Sequence, residues 1–156
     1  MGLARAGPFF VKTPSSVFGS DLERKFFAAW IKHCHGLPVP RTQYSEIEPW
    51  LDYLEIRRKL KPRSRPWRAD FTWPAHKIVV EVQGGAFGGG RHTRGAGFTT
   101  DMQKSMLLQT DGWLFLALTN TMIHQKDGYW IKLVGKAVEQ RGTLLSVFAE
   151  SHAIAS

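Results

Sequence analysis

The stretch RADFTWPAHKIVVEVQGG, residues 68–85, decides how this chain folds. It contains two runs rich in β-branched and aromatic residues, and each carries one carboxylate: Asp70 in the first and Glu81 in the second. Such runs on either side of a Pro-containing turn predict the two strands of a hairpin. Paired residues share one face of a sheet, so a four-residue loop at 74–77 would place Asp70 opposite Glu81. A two-residue loop would make them diagonal neighbours, and a three-residue loop without a bulge would put them on opposite faces.

An ionised carboxylate on a half-buried sheet is costly unless something binds it, and two neighbouring carboxylates also repel each other. A divalent cation removes both problems, since Mg²⁺ prefers one or two protein carboxylates together with water and phosphate oxygens. The pattern therefore predicts a metal-dependent phosphodiesterase with Asp70 and Glu81 as ligands. Gln83 follows Glu81 by two positions and shares its face whatever the loop length.

The composition predicts one packed domain over residues 1–156, because 43% of the chain is hydrophobic and it contains six tryptophans. We expect the core over about 20–142 and expect residues 1–18 to be flexible or to contact a dimer partner. The sequence contains neither a membrane-length apolar run nor a signal-length apolar stretch, so we expect a cytoplasmic protein without a membrane partner. The single cysteine, Cys34, excludes an internal disulfide and a multi-cysteine zinc site.

The charge of the chain points to a polyanionic partner. The formal net charge is +8, and residues 57–68 contain seven cations and no acid. These cations are Arg57, Arg58, Lys59, Lys61, Arg63, Arg65 and Arg68. The segment is either a solvated basic loop or a phosphate-binding strip that releases counterions from DNA. Its continuation into the strand of Asp70 favours the strip.

Local patterns predict the other elements around this hairpin. Ser20 and Glu23 match a capping box, which predicts a helix to about His35. Glu23 is either purely structural or points inward, because apolar residues share its face. The remaining predictions are a short helix at 48–58, a glycine loop at 84–97, a helix at 100–110 with a capping box at Thr100, a turn at Asp111 and Gly112, a buried strand at 113–118, a helical turn from Asn120 and a helix from Asp127 to about Gln140. Residues 143–149 are interpreted as an edge strand or a dimer surface. This order predicts an α/β fold with a small mixed sheet flanked by helices.

The glycine loop and the helix after it supply further candidates. Arg91, His92 and Arg94 could clamp a phosphate backbone, since glycine permits close approach and arginine offers bidentate donors. A plain flexible linker is the alternative. Lys104 lies three residues after Asp101 on one helix face, so it either pairs locally with Asp101 or brings positive charge to a scissile phosphate.

Asp70, followed on the next strand by Glu81-Val82-Gln83, resembles the PD-(D/E)xK nuclease superfamily. Helix, strands, helix, strand is also the core order of that fold, and Glu23 falls where many members place a further acidic residue. A longer pattern resembles small phage-encoded nucleases of this superfamily and, among them, archaeal-type Holliday junction resolving enzymes. It comprises Glu81-Val82-Gln83-Gly84-Gly85, Gly90-Arg91-His92-Thr93-Arg94-Gly95, Asp101, Lys104 and Gly112-Trp113. Ala69 replaces the proline of the family pattern and Gln83 its lysine, so either Gln83 serves directly or Lys104 reaches in from the helix.

The resemblance implies a restriction-endonuclease-like core and a Mg²⁺- or Mn²⁺-dependent endodeoxyribonuclease that uses metal-activated water. The implied metal ligands are Asp70, Glu81, the Val82 carbonyl and Glu23, the last directly or through water. The implied catalytic set is Glu23, Asp70, Glu81, Gln83 and Lys104. The resemblance also implies a homodimer that resolves four-way DNA junctions by paired nicks, in the cytoplasm of a bacterial host if it is phage-encoded. A mismatch or nicking endonuclease of the same superfamily and a non-catalytic DNA-binding protein are the alternatives.

Overall fold

The computed structural model describes residues 18–84 and 94–154 and has a mixed α/β architecture. Within those residues, four strands form one sheet and helices pack around it. The strands are β1 (Arg41–Tyr44), β2 (Ala69–Trp73), β3 (Ile78–Gln83) and β4 (Leu114–Thr119). The helices are α1 (Asp21–His33), α2 (Glu48–Leu60), α3 (Arg94–Thr110), α4 (Asn120–Ile123) and α5 (Tyr129–Ile154).

The sheet order follows the chain order, β1-β2-β3-β4. The first two pairs are antiparallel, and β3 and β4 are parallel because α3 provides the long crossover that parallel pairing needs. In the hairpin, Trp73 pairs with Ile78 and Phe71 with Val80, which leaves 74–77 as a four-residue connection. Four residues is the loop length for which the parity argument predicts Asp70 opposite Glu81, and the paired residues end at Phe71 and Val80, one position before this pair.

Helices cover both faces of the sheet. On one face, Phe26 of α1 and Ile131 of α5 belong to a buried cluster with Phe71. On the other face, Trp50 of α2 belongs to a second cluster with Val79. Strands that are buried on both faces carry near-continuous apolar runs, which accounts for the sequence of β3 before Glu81.

The regular alternation of side chains between the two faces of β2 is interrupted at Asp70. Phe71 packs in the α1 and α5 cluster, whereas Ala69 packs in the α2 and α3 cluster. Residues two apart in a regular strand share a face, so the alternation is interrupted between them. Beside this point, Gln43 of β1 has a φ of +48°, in the left-handed region. Groups from both faces of the sheet can therefore approach Asp70.

Several local predictions are confirmed. Ser20 is the N-cap of α1, α2 matches the expected short helix, and Gly112 turns the chain with a φ of +77°. A helical turn begins at Asn120, and Asp127 accepts a hydrogen bond from the backbone N–H of Tyr129 at the start of α5. These elements were predictable because their signals lie within one or two turns of the backbone.

Other predictions are wrong. No strand is predicted where β1 forms, because its four residues, RTQY, carry little strand signal. Helix α3 begins at Arg94, so the glycine loop does not extend to residue 97. Thr100 is no cap, since its hydroxyl donates to the Ala96 carbonyl inside the helix. Residues 143–149 do not form an edge strand, because they lie within α5, which continues to Ile154. The apolar pattern of so short a run does not distinguish a strand from a helix.

Strand β4 also differs from its prediction as a buried strand. Leu118 is buried, but Ala117 and Thr119 are exposed. The reason is its place at the edge of the described sheet, where only one strand pairs with it. Among residues 18–84 and 94–154, no helix combines the length and the hydropathy that crossing a membrane requires.

Candidate functional site

Asp70 lies at the irregular point of β2, and its carboxylate binds the next strand. Its Oδ2 accepts a hydrogen bond from the backbone N–H of Val82 at 2.8 Å. Burial raises the pKa of Asp70, the bond from Val82 opposes that rise, and the neighbouring Glu23 carboxylate adds to it. The fold thus destabilises the ionised form of this side chain, which is typical of groups with a chemical role.

Glu81 lies on β3 beside a lysine from α3. Lys104 Nζ donates to Glu81 Oε1 at 3.2 Å, and the two side chains are only 12% and 18% exposed. Burial raises the pKa of Glu81 to about 7, attraction by Lys104 opposes the rise, and the Asp70 carboxylate adds to it. Of the two alternatives for Lys104, the structure favours the site, because its ion pair is with Glu81 and the described residues contain none between it and the exposed Asp101.

Trp50 and the chain before β2 hold Lys104 in place. The Trp50 indole Nε1 donates to the Lys104 carbonyl at 3.1 Å, and the ammonium lies 5.0 Å from the centroid of the same ring. The ammonium also donates to the Arg68 carbonyl at 3.3 Å. A cation over an aromatic face is stabilised by the ring quadrupole. Helix α3 therefore presents a preorganised positive charge to the two carboxylates.

Glu23 is both a capping residue and a buried carboxylate, so the structural role and the inward orientation considered from the sequence both hold. Its backbone N–H donates to the Ser20 hydroxyl oxygen at 3.2 Å, as a capping box requires. Its carboxylate, in a side chain only 4% exposed, accepts from the Gly19 N–H at 2.9 Å and from the Ser20 hydroxyl at 3.0 Å. The reciprocal bond thus comes from Gly19 rather than from the Ser20 N–H.

Gln43, which was not predicted as a site residue, links the Glu23 and Asp70 carboxylates. Its Nε2 lies 2.8 Å from Glu23 Oε2 and 3.4 Å from Asp70 Oδ1. The only sequence signal was the strand preference of Thr42 and Tyr44 on either side, which is weak for a four-residue element. The contact depends on the pairing of β1 with β2, which no local pattern reveals.

Gln83 does not join this cluster through a hydrogen bond. It is exposed at the end of β3, and its backbone pairs in parallel with Thr119. Among the described residues, its side chain makes no hydrogen bond to Asp70 or Glu81. The position where the family pattern has lysine is therefore neutral, and Lys104 supplies the positive charge from another element.

The basic segment divides between the end of α2 and the chain that leads into β2. Arg57, Arg58 and Lys59 occupy the last turn of α2, and Arg68 immediately precedes β2. Arg57, Lys61 and Arg63 line a shallow, open cavity of about 540 Å³ with Pro62 and Ser64. Of the seven basic side chains, Arg57 is half-buried and lies 5.8 Å from the Trp67 ring centroid, and the other six are exposed. None forms an ion pair with a carboxylate in the described part of the chain.

The predicted clamp falls largely beyond the described structure. Arg91 and His92 lie outside the described residues, as does the side chain of Arg94, whose backbone begins α3.

The donor chemistry of the described site fits a hard divalent cation through two protein carboxylates. The charged forms of Asp70 and Glu81 are both destabilised by burial and by a neighbouring carboxylate, Glu23 for Asp70 and Asp70 for Glu81, a situation that a cation relieves. The Val82 carbonyl is a candidate third oxygen on the same strand. Within residues 18–84 and 94–154, no group of three or more His, Cys, Asp and Glu side chains is arranged to hold a metal ion. The Glu23 carboxylate accepts hydrogen bonds from Gly19 and Ser20 and is linked to Asp70 through the Gln43 amide.

Comparison with known proteins identified no relative. A scan against protein-family models, a search of curated proteins and a search of solved structures each gave no match.

Proposed function

We propose that this protein is a Mg²⁺- or Mn²⁺-dependent endodeoxyribonuclease with a PD-(D/E)xK-type core, and that its preferred substrate is a four-way DNA junction. The observation that carries the proposal is the meeting of Asp70, Glu81 and Lys104 at one end of the hairpin. Burial raises the pKa values of both carboxyl groups, and the Lys104 ammonium lies 3.2 Å from Glu81 Oε1. An acidic pair with a lysine is the chemistry of that superfamily, here with the lysine on a helix.

Each residue has a distinct role in the proposed reaction. A divalent cation bound there would activate a water molecule and stabilise negative charge on the leaving oxygen. Asp70 and Glu81 would hold that cation, with the Val82 carbonyl as a further oxygen. Lys104 would place a positive charge beside the scissile phosphate, and its contacts with Trp50 and Glu81 would keep it oriented before substrate arrives.

The basic segment would bind the DNA backbone beside this site. It ends at Arg68, whose carbonyl accepts a hydrogen bond from Lys104, so the segment and the carboxylates are adjacent in the structure. Exposed arginines and lysines without carboxylate partners can neutralise phosphates and release counterions. Arg91, His92 and Arg94 complete the proposed DNA contacts. We therefore expect affinity for DNA to fall steeply with salt concentration.

The choice of a four-way junction rests on the resemblance of the sequence pattern. Paired nicks across such a junction need two active sites, so the proposal includes a homodimer with two-fold symmetry. The second half of α5 offers a surface for it, since Leu144, Leu145 and Val147 are 46–57% exposed. A linear or mismatched duplex would not require this symmetry.

The proposal is tested by cleavage of a labelled four-way junction beside a linear duplex, with Mg²⁺, with Mn²⁺ and with chelator. Wild type is compared with Asp70→Asn and with the matched control Asp111→Asn, which removes a half-exposed carboxylate that pairs with Lys77. We expect symmetrical nicks in the junction that require metal, persist in Asp111→Asn and disappear in Asp70→Asn.

Each other outcome changes a different part of the proposal. Equal cutting of linear duplex would retain the nuclease and remove the junction preference, in favour of a mismatch or nicking endonuclease. Tight DNA binding without cutting under either metal would replace the nuclease with a non-catalytic DNA-binding protein. Full activity of Asp70→Asn would remove the proposed active site.

A further inference from the structure

Gln43 has a backbone conformation that its residue type disfavours. Its φ of +48° lies in the left-handed region, and Gln43 and Lys77 are the non-glycine residues there in the described part of the chain. Lys77 lies in the tight connection of the hairpin, where a left-handed residue serves the turn. Gln43 lies within a strand, where no turn requires it. Such strain persists only where the surroundings over-determine it, and it is concentrated at functional sites.

The side chain of Gln43 shows what its backbone conformation achieves. Its Nε2 lies 2.8 Å from Glu23 Oε2 and 3.4 Å from Asp70 Oδ1. An amide that faces two carboxylates must present its NH₂ group, because its oxygen would meet only acceptors. The two hydrogens of one nitrogen therefore serve the two acids, with the shorter bond to Glu23.

The position of Gln43 in the sheet matches this contact. Thr42 pairs with Phe71 and Tyr44 with Ala69, so Gln43 lies across from Asp70, where the alternation of β2 is interrupted. The space around the amide is also filled. A Cβ added at Gly19 would lie 2.9 Å from Glu23 Oε1 and 3.3 Å from Gln43 Nε2. The amide is thus confined between two acids and a glycine backbone.

We propose that Gln43 is a positioning residue of the nuclease site, which fixes the Asp70 carboxylate in one orientation and links it to Glu23. This inference rests on the proposed function. Asp70 Oδ2 is held by the Val82 N–H and Oδ1 by the Gln43 amide, so each oxygen has a donor from a different neighbouring strand. Groups that orient metal-binding carboxylates control both metal affinity and rate. The two donors would remove the freedom of Asp70 to rotate away from a bound cation.

The test compares two substitutions at Gln43 with a control. Gln43→Gly accepts the left-handed backbone and removes the amide, whereas Gln43→Asn tolerates that backbone and retains an amide that is one methylene too short. Gln125→Gly removes an exposed glutamine amide from the turn after α4 and serves as the matched control. Three kinds of measurement are made on the full chain. Mn²⁺ affinity is obtained from the electron paramagnetic resonance signal of free Mn²⁺, kcat and KM from cleavage of the junction, and Tm from thermal unfolding.

We expect both Gln43 variants to bind Mn²⁺ roughly 10- to 100-fold more weakly and to lose kcat by about the same factor. The KM for DNA should stay unchanged, and the Tm of Gln43→Gly should not fall, because glycine relieves the backbone strain. Gln125→Gly should match wild type in all three measurements.

Wild-type Mn²⁺ affinity and kcat in both Gln43 variants would overturn the inference while the proposed function stands. Equal losses in Gln125→Gly would overturn it as well, since the effect would not be specific to the site. A wild-type protein that neither binds Mn²⁺ nor cuts DNA would remove the proposed function, and the positioning role with it.

Discussion

The two ends of the β2–β3 hairpin each pair a lysine with a carboxylate, but the pair at the loop end is half-exposed and the pair at the site end is largely buried. At the loop end, Trp73 pairs with Ile78 in the buried core, and Lys77 forms an ion pair with Asp111 at 3.3 Å. Arg141 of α5 donates there to the carbonyls of Lys77 and Gly112, at 3.2 and 3.0 Å. Backbone carbonyls and a carboxylate at this end thus meet cationic donors.

At the site end, the fold works against the ionised state of its own residues. Asp70 and Glu81 both have raised pKa values because burial disfavours their charged forms. The Glu23 carboxylate raises the pKa of Asp70 further, and the Asp70 carboxylate raises that of Glu81. One hairpin therefore combines an end that stabilises the fold with an end whose buried carboxylates would be stabilised by a bound cation. Substitutions should therefore separate stability from activity along this hairpin.

The largest effect is expected from the apolar centre of the hairpin. Phe71 is fully buried and its ring centroid lies 4.4 Å from that of Phe26. Phe71→Ala should lower the free energy of unfolding by about 3–5 kcal/mol because it leaves a cavity. Denaturant unfolding measures this, with the exposed Phe98→Ala as control, expected within about 0.5 kcal/mol of wild type. Equal losses in both variants would contradict the assignment of the core.

Asp70→Asn should separate the two ends most clearly. We expect metal-dependent cleavage to fall roughly 100-fold or more, equivalent to about 2.7 kcal/mol in the activation free energy. The free energy of unfolding should change by less than about 1 kcal/mol at neutral pH. Asparagine avoids the burial of charge and its amide oxygen can still accept from the Val82 N–H, whereas its NH₂ group loses the 3.4 Å contact with the Gln43 amide. Cleavage assays and denaturant unfolding measure the two effects. A variant that loses activity only by unfolding would not support the comparison.

The pH dependence of stability should reveal Glu81. Its pKa is about 7 in the folded protein against an ordinary 4.5, so the folded state binds the proton more tightly than the unfolded state. The stabilisation is therefore fully present below about pH 4.5 and is lost as the pH rises through 7. In chelator, the stability of wild type relative to Glu81→Gln should fall by about 3 kcal/mol across that window, which is the equivalent of a pKa shift from 4.5 to about 7. A difference that stays flat across that window would contradict the raised pKa of Glu81.

Lys104 and Lys77 provide a matched pair of lysines, one at each end. Lys104→Met should lower kcat roughly tenfold, and removal of its attraction should raise the pKa of Glu81 further. The rise of cleavage rate with pH should then move to higher pH. Lys77→Met should leave both the rate and its pH profile unchanged, because it loses only a half-exposed ion pair. Equal rate losses in the two variants would remove the catalytic role of Lys104.

The smallest effect is expected at the loop end. Arg141→Ala removes donors to the carbonyls of His76, Lys77 and Gly112, and should lower the free energy of unfolding by about 1 kcal/mol. Cleavage per folded molecule should stay at the wild-type rate. Thermal unfolding and cleavage assays on the same preparation measure both. A loss of rate without a loss of stability would mean that the two ends of the hairpin are coupled.

The local part of this architecture was readable from the sequence, because short-range patterns determine it. Runs rich in β-branched and aromatic residues define β2 and β3, the four residues between them set their register, and Ser20 with Glu23 begins α1. The same reasoning failed where two local solutions had similar signals. Residues 143–149 are apolar enough for a strand, yet they continue α5, and Thr100 matches a cap although its helix starts six residues earlier.

The sequence by itself determined that two carboxylates would lie on the neighbouring strands of one hairpin, beside a segment rich in positive charge. Only the tertiary structure decided what meets them. The packing of α3 brings Lys104 to Glu81, 23 residues away along the chain, and the pairing of β1 brings Gln43 to Asp70, 27 residues away. Contacts of this kind depend on how elements pack across the sheet, and no local periodicity encodes that arrangement.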